Sequence, residues 1–215
     1  MHNPWVELPN DPPFVLLQDR NSVAQISKKV ATNLSSIPEP FIGDPQTAKV
    51  VLLSLNPGDN EEDADAHRRS DLKEAILLNL HRKSQDYPSY PLNPAFKRTP
   101  VARWWWKNLH ELFDEGKLDQ RKVAHQLCVI EWFPYHSKKG KDLPQKPCCD
   151  SQRYSFELAR NALESHKLVV GMRAKPRWTQ VDPRFANVTY LNSWQNSAIS
   201  PGNAKNFDEI VKALR

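Results

Sequence analysis

The chain has 215 residues, 39% of them hydrophobic and 26% charged, long enough to bury a core as one domain without a disulfide or metal staple. A mean hydropathy of −0.68, with no apolar run near the roughly 18 residues of a membrane span, predicts a soluble globular protein with no membrane partner. Met1-His2-Asn3-Pro4-Trp5 lacks the basic and apolar segments of a signal peptide. Three cysteines, two of them adjacent at Cys148 and Cys149, fall short of an all-cysteine zinc site or a four-thiolate iron–sulfur cluster. The expectation is a cytoplasmic chain with reduced thiols.

Charge is uneven. Residues 1–64 hold 4 Lys/Arg against 9 Asp/Glu, whereas residues 65–215 hold 26 against 16. Ten Lys/Arg and four Asp/Glu fall between Ser137 and Trp178, enough for a positive face that attracts phosphates. A solvated basic surface with no ligand is the plainer alternative.

In chain order, residues 1–14 and 35–48 read as coil around a helix from about Ser22, with Val23, Ile26 and Val30 along one face. Lys49–Leu55 (KVVLLSL) reads as a buried parallel strand stopped by Asn56-Pro57-Gly58. The acidic run Glu61–Asp65, ahead of His67, reads as a solvated helix start. Ser70 opens a helix carrying Leu72, Ile76 and Leu80 at i, i+4 and i+8. The proline-rich stretch Tyr87–Pro100 is a loop long enough to suspect of function.

A further helix spans Arg103–Phe113, with Trp105, Leu109 and Leu112 on its inner stripe. Trp104, Trp105 and Trp106 are about 100° apart by the helical period and cannot share a face. Leu127–Phe133 (LCVIEWF) is a second buried strand, followed by the basic loop Lys138–Pro147 and a helix over Ser151–Ser165. Third and fourth strands fit Lys167–Gly171 and Asn187–Leu191. A polar loop, Asn192–Asn203, then leads to a final helix carrying Phe207, Ile210, Val211 and Leu214. Strands alternating with helices predict an α/β domain: three α/β/α layers around a mainly parallel sheet of about four strands. The domain spans 1–215, with residues 1–45 as an N-terminal extension.

Ligands of parallel α/β sheets bind at the carboxyl ends of the strands. Three strand-end loops stand out: Ser54–Asn60, Glu131–Ser137 and Asn192–Asn203. The first joins a fixed proline dihedral, a glycine and the Asn56 amide. The second joins a carboxylate, aromatic rings and the titratable His136. The third is rich in hydroxyls and amides suited to a sugar–phosphate backbone. Each also suits an ordinary turn or surface loop. P-loop, GxGxxG, HExxH and GxSxG motifs are absent, and the seven histidines show no metal spacing.

Ser54-Leu55-Asn56-Pro57-Gly58 resembles the Gly-Ile-Asn-Pro-Gly motif of the mismatch-specific and thymine-DNA branch of the uracil-DNA glycosylase superfamily. Gln195-Asn196-Ser197-Ala198-Ile199-Ser200 is similar to that branch's Asn-Pro-Ser-Gly-Leu-Ser. The resemblance covers about residues 46–215 in layout. It implies a base-excision enzyme that extrudes a nucleotide and hydrolyses its bond to the sugar, without metal or cofactor, acting as a monomer on nucleic acid, DNA above all. Asn56 would hold the attacking water, and Gly58 would let the backbone approach. Gln195 would support the leaving base, and Ser197 and Ser200 would hold phosphates. Phe96 and Tyr135 are the rings offered for stacking, and His136 a further contact.

The chain departs from the pattern at three places. Ser54 stands where the motif opens with glycine and crowds the pocket. Gln195-Asn196 replaces the His/Asn-Pro pair. Glu131 stands where an asparagine reads the base, and a carboxylate accepts from uracil N3–H but repels uracil O4. The departures leave a second possibility: a catalytically inactive protein that keeps the fold to bind nucleic acid or another partner.

Overall fold

The computed structural model describes residues 2–193 and 195–215. Strands β1 (Thr32–Asn33) and β2 (Phe41–Ile42) follow helix α1 (Arg20–Ser27) and precede β3 (Val50–Ser54). Helices α2 (Asp63–Ala66), α3 (Ser70–Leu80), α4 (Pro100–Asp114) and α5 (Gln120–Gln126) lead to β4 (Leu127–Glu131) and β5 (His136–Ser137). Then come α6 (Gln152–Glu164), β6 (Leu168–Gly171), α7 (Lys175–Val181), β7 (Thr189–Tyr190) and α8 (Phe207–Leu214).

The main sheet has five strands in the order β2-β4-β3-β6-β7. The four expected strands run parallel, and β2 adds an antiparallel edge against β4, pairing Phe41 with Ile130. Every residue of β3 and β4 is buried, so both faces at the centre of the sheet are covered, as an unbroken Val/Leu/Ile run requires. Helix α6 packs on β3, β4 and β6, and α8 packs on β3. No helix of the described residues is long and apolar enough to cross a membrane.

Because β3 is central, the chain first crosses to β4 on one side and then returns past β3 to β6 on the other. That reversal opens a crevice at the carboxyl ends of the strands, where the connections diverge. The β3–β4 register sets Ser54 opposite Glu131 at the floor of this crevice.

Residues 1–45 do not stand apart. Trp5, Phe14, Leu16, Val23 and Ile37 belong to the same buried cluster as the sheet, β1 pairs with β5, and Glu131 N–H donates to Pro40 O. The segment forms an edge and a wall of the domain. The loop at 87–100 is also anchored: Tyr90, Leu92 and Phe96 are buried in two short 3₁₀ turns.

Gly171 ends β6 flat against the Tyr190 ring of β7; a Cβ there would meet Tyr190 Cε1 at 2.1 Å. Gly171→Ala is expected to cost about 1–3 kcal/mol of stability by overpacking, read from urea unfolding. The cost should shrink when Tyr190→Ala is already in place, since removing the ring removes the clash.

Candidate functional site

The crevice is a cleft of about 780 Å³. Ser54 lines it from the end of β3 and Asn56, Gly58, Asp59 and Asn60 from the loop that follows, Glu131 from the end of β4, His136 and Ser137 from β5, and Gln195 from the last loop. Pro100, Val101, Trp104 and Trp105 supply an apolar wall from α4, while Lys138, Lys141, Arg173 and Arg177 supply cations. A second depression, of about 410 Å³, runs along α3 beside Lys73, Leu77 and His81. Its walls are almost wholly apolar, without the convergent polar groups that fix a ligand.

The turn at His136–Ser137 ties down the Asn-Pro-Gly loop. Asn56 Nδ2 donates to Ser137 Oγ at 2.9 Å and to Ser137 O at 3.2 Å. Ser137 N–H donates to Pro57 O at 3.2 Å, and His136 Nδ1 lies 2.6 Å from Gly58 O. With its amide nitrogen so occupied, Asn56 keeps its Oδ1 lone pairs for a ligand or a water. That oxygen lies over Gly140, where a Cβ would come within 2.5 Å of it. Gly58 is exposed, and no described atom lies within 4 Å of where its Cβ would be, so a ligand meets bare backbone there.

Glu131 forms the floor. It is 4% exposed, stands opposite Ser54 in the strand register, and its Oε2 has no partner among the described residues. Burial pushes its pKa up to about 8, against the opposing pull of Ser54 and Arg173. At neutral pH the group is mostly a carboxylic acid, able to donate as well as accept.

Beside the cleft, Glu39, His67 and His136 bring ligand-type atoms within 4.8 Å of one another. Ile37 N–H donates to His67 Nδ1 at 2.9 Å, which leaves the neutral ring's proton on Nε2, where it blocks metal ligation. Burial holds the His67 pKa well below its ordinary value, with the charge of His136 adding to the effect. His136 Nε2 lies 3.0 Å from Ile37 O and 3.5 Å from Glu39 Oε2, and Tyr90 OH donates to Glu39. A metal on all three residues would have to break the Ile37–His67 bond. As it stands the cluster is a hydrogen-bonded wall behind Gly58.

Four expected contacts lie outside the cleft lining. Tyr135 points into the core, donating to Asp19 Oδ2 at 2.7 Å and packing edge-on to Trp5. Phe96 is buried under Arg69. Ser197 is buried with its hydroxyl on Arg173. Ser200 is half-buried in a loop pinned by Asn203, whose Nδ2 donates to Asn196 O and Ala198 O. Trp194, part of the same loop in the sequence, lies outside the described residues.

Three contributors were given no role by the sequence. Ser137 orients Asn56, and Arg173 and Arg177 reach the cleft through Ala174, whose φ of 60° is a left-handed turn costing a non-glycine residue about 1–2 kcal/mol. Arg177 is held by Leu143 O and Pro144 O and stacks over Trp132.

Glu131→Gln, which mimics the protonated acid, tests the charge state of the floor. The folded protein keeps the Glu131 proton up to about pH 8, whereas the unfolded chain releases it near the ordinary value of 4.5. The stability linked to that proton is complete below pH 4.5 and lost as pH rises through 8. In urea titrations the variant should match wild type at pH 4 and gain on it steadily to pH 8. Comparison with protein-family models, with curated proteins and with solved structures yields no match to this chain, so its function has to be argued from this cleft alone.

Proposed function

We propose that the protein binds an extruded nucleobase in this cleft and hydrolyses its N-glycosidic bond, on a fold of the uracil-DNA glycosylase type. The observation that carries the proposal is the Glu131 carboxyl, buried with a free Oε2 on the floor of the cleft that also holds Asn56. A neutral carboxyl pairs an O–H donor with a carbonyl acceptor, the match for a keto oxygen beside a ring N–H. The α/β order and the Asn-Pro-Gly loop at a strand end support the same reading.

In the reaction, Asn56 Oδ1 accepts a hydrogen bond from water and holds it against the sugar. The amide is no base, so its contribution is placement. The C1′–N bond breaks with its electrons passing to the base, the water oxygen bonds to C1′, and the surplus proton passes to the base anion or to bulk water. Glu131 O–H donates to the keto oxygen as negative charge gathers there, in a site where few waters compete. Lys138, Lys141 and Arg173 face the phosphates. Gln195, exposed at the rim, contacts the base as it leaves.

Base release is measured as alkali-labile strand breaks in oligonucleotides carrying deaminated or damaged bases. Asn56→Ala is expected to lower the rate about 100-fold or more with the fold intact. Wild-type activity should fall above pH 8 as Glu131 ionises, and Glu131→Gln should flatten that alkaline limb. Salt-sensitive binding across the panel with no base release would identify a binding protein instead.

A further inference from the structure

We infer that Trp104 forms a second stacking subsite at the mouth of the cleft, so that the ligand presents two neighbouring unpaired bases, one over Glu131 and one on the Trp104 indole. The inference rests on the base-binding reading above and extends it to a longer, single-stranded ligand.

Residues 100, 101, 104 and 105 of α4 line the cleft, a spacing of i, i+1, i+4 and i+5 that puts them on one helical face. Trp105 is the buried member, at 4%, and props Trp104 edge-to-face, with centroids 4.6 Å apart and planes at 84°. Asn108 Nδ2 donates to Trp104 O at 2.7 Å, fixing the turn beneath. Trp104 itself stays 40% exposed; among the described residues the other large hydrophobic side chains left exposed are Val6 and Leu17. Trp106 takes a third direction, packing on Phe113 under Lys97. Hence, of the two indoles that border the cleft, Trp104 is the exposed one, and it is already held there, with little freedom left to lose on binding.

The size of the cleft fits. At about 780 Å³ it lies within the roughly 300–1,000 Å³ that encloses drug-sized ligands, well beyond the needs of one pyrimidine. The same cleft is lined by Lys138 and Lys141, both exposed, and by Arg173. Cations and an aromatic platform in one groove are how proteins hold single strands without reading sequence. A duplex would have to unstack two consecutive nucleotides at a few kcal/mol each, whereas an unpaired strand offers them directly.

The test measures binding of thymidine 5′-monophosphate, a short oligothymidylate and its duplex with oligoadenylate, at one fixed salt concentration, to wild type, Trp104→Ala and Trp104→Phe. Expected are tighter binding of the single strand than of the duplex, a loss of about tenfold or more in single-strand affinity for the alanine variant, and recovery of most of it by phenylalanine. The mononucleotide, seated at Glu131, should bind all three proteins alike. Unchanged single-strand affinity in Trp104→Ala, or a phenylalanine variant as weak as alanine, would overturn the second subsite while leaving the base site intact. Loss of the mononucleotide in Trp104→Ala would make the two subsites one. Failure of wild type to bind any probe would overturn the base-binding reading together with the subsite.

Discussion

The site depends on one register. Strands β3 and β4 run side by side and stop together, with Ser54 paired to Glu131 at their ends. A carboxyl delivered there by a fully buried strand cannot escape to water, so it keeps its proton against the opposing pull of Ser54 and Arg173. A serine where a more open motif has glycine is then part of the floor beside a carboxyl whose buried Oε2 has no partner among the described residues.

Around that floor, parts distant in the chain hold each other rigid. The β5 turn fixes three consecutive groups of the loop after β3: the Asn56 amide, the Pro57 carbonyl and the Gly58 carbonyl. Behind the turn, Ile37 and Glu39 from the N-terminal segment meet His136, and Tyr90 from the proline-rich stretch meets Glu39. Preorganisation of this kind lets a neutral amide place a water, because no reorganisation is needed when the ligand arrives.

The two central strands were legible because a strand buried on both faces must read as an unbroken apolar run, as VVLL and LCVI do. Strands β1, β2, β5 and β7 are two residues each, too short to show a period; β7 was placed only by its parallel alternation with the helices, and α5 and α7 at seven residues barely complete two turns. The loop tips could be chosen by the strand-end rule, but not the direction of each side chain. Tyr135 turns inward because Asp19, 116 residues away in sequence, receives its hydroxyl, and no local pattern records that. Glu131 was legible as a carboxyl beside the site, while its charge was not, since charge state follows from burial. The three tryptophans could be seen to diverge; which one meets the cleft is decided by how α4 lies on the sheet.

The most direct test of the account is the protonation state of Glu131 itself. Infrared difference spectra of wild type against Glu131→Gln, with glutamate carboxyls isotopically labelled, isolate the carbonyl stretch of this one acid. A protonated-carboxyl band that persists through neutral pH and titrates near 8 is the predicted result. A band already lost at pH 6 would mean a charged floor, and the cleft could not present the donor on which recognition of a keto oxygen depends.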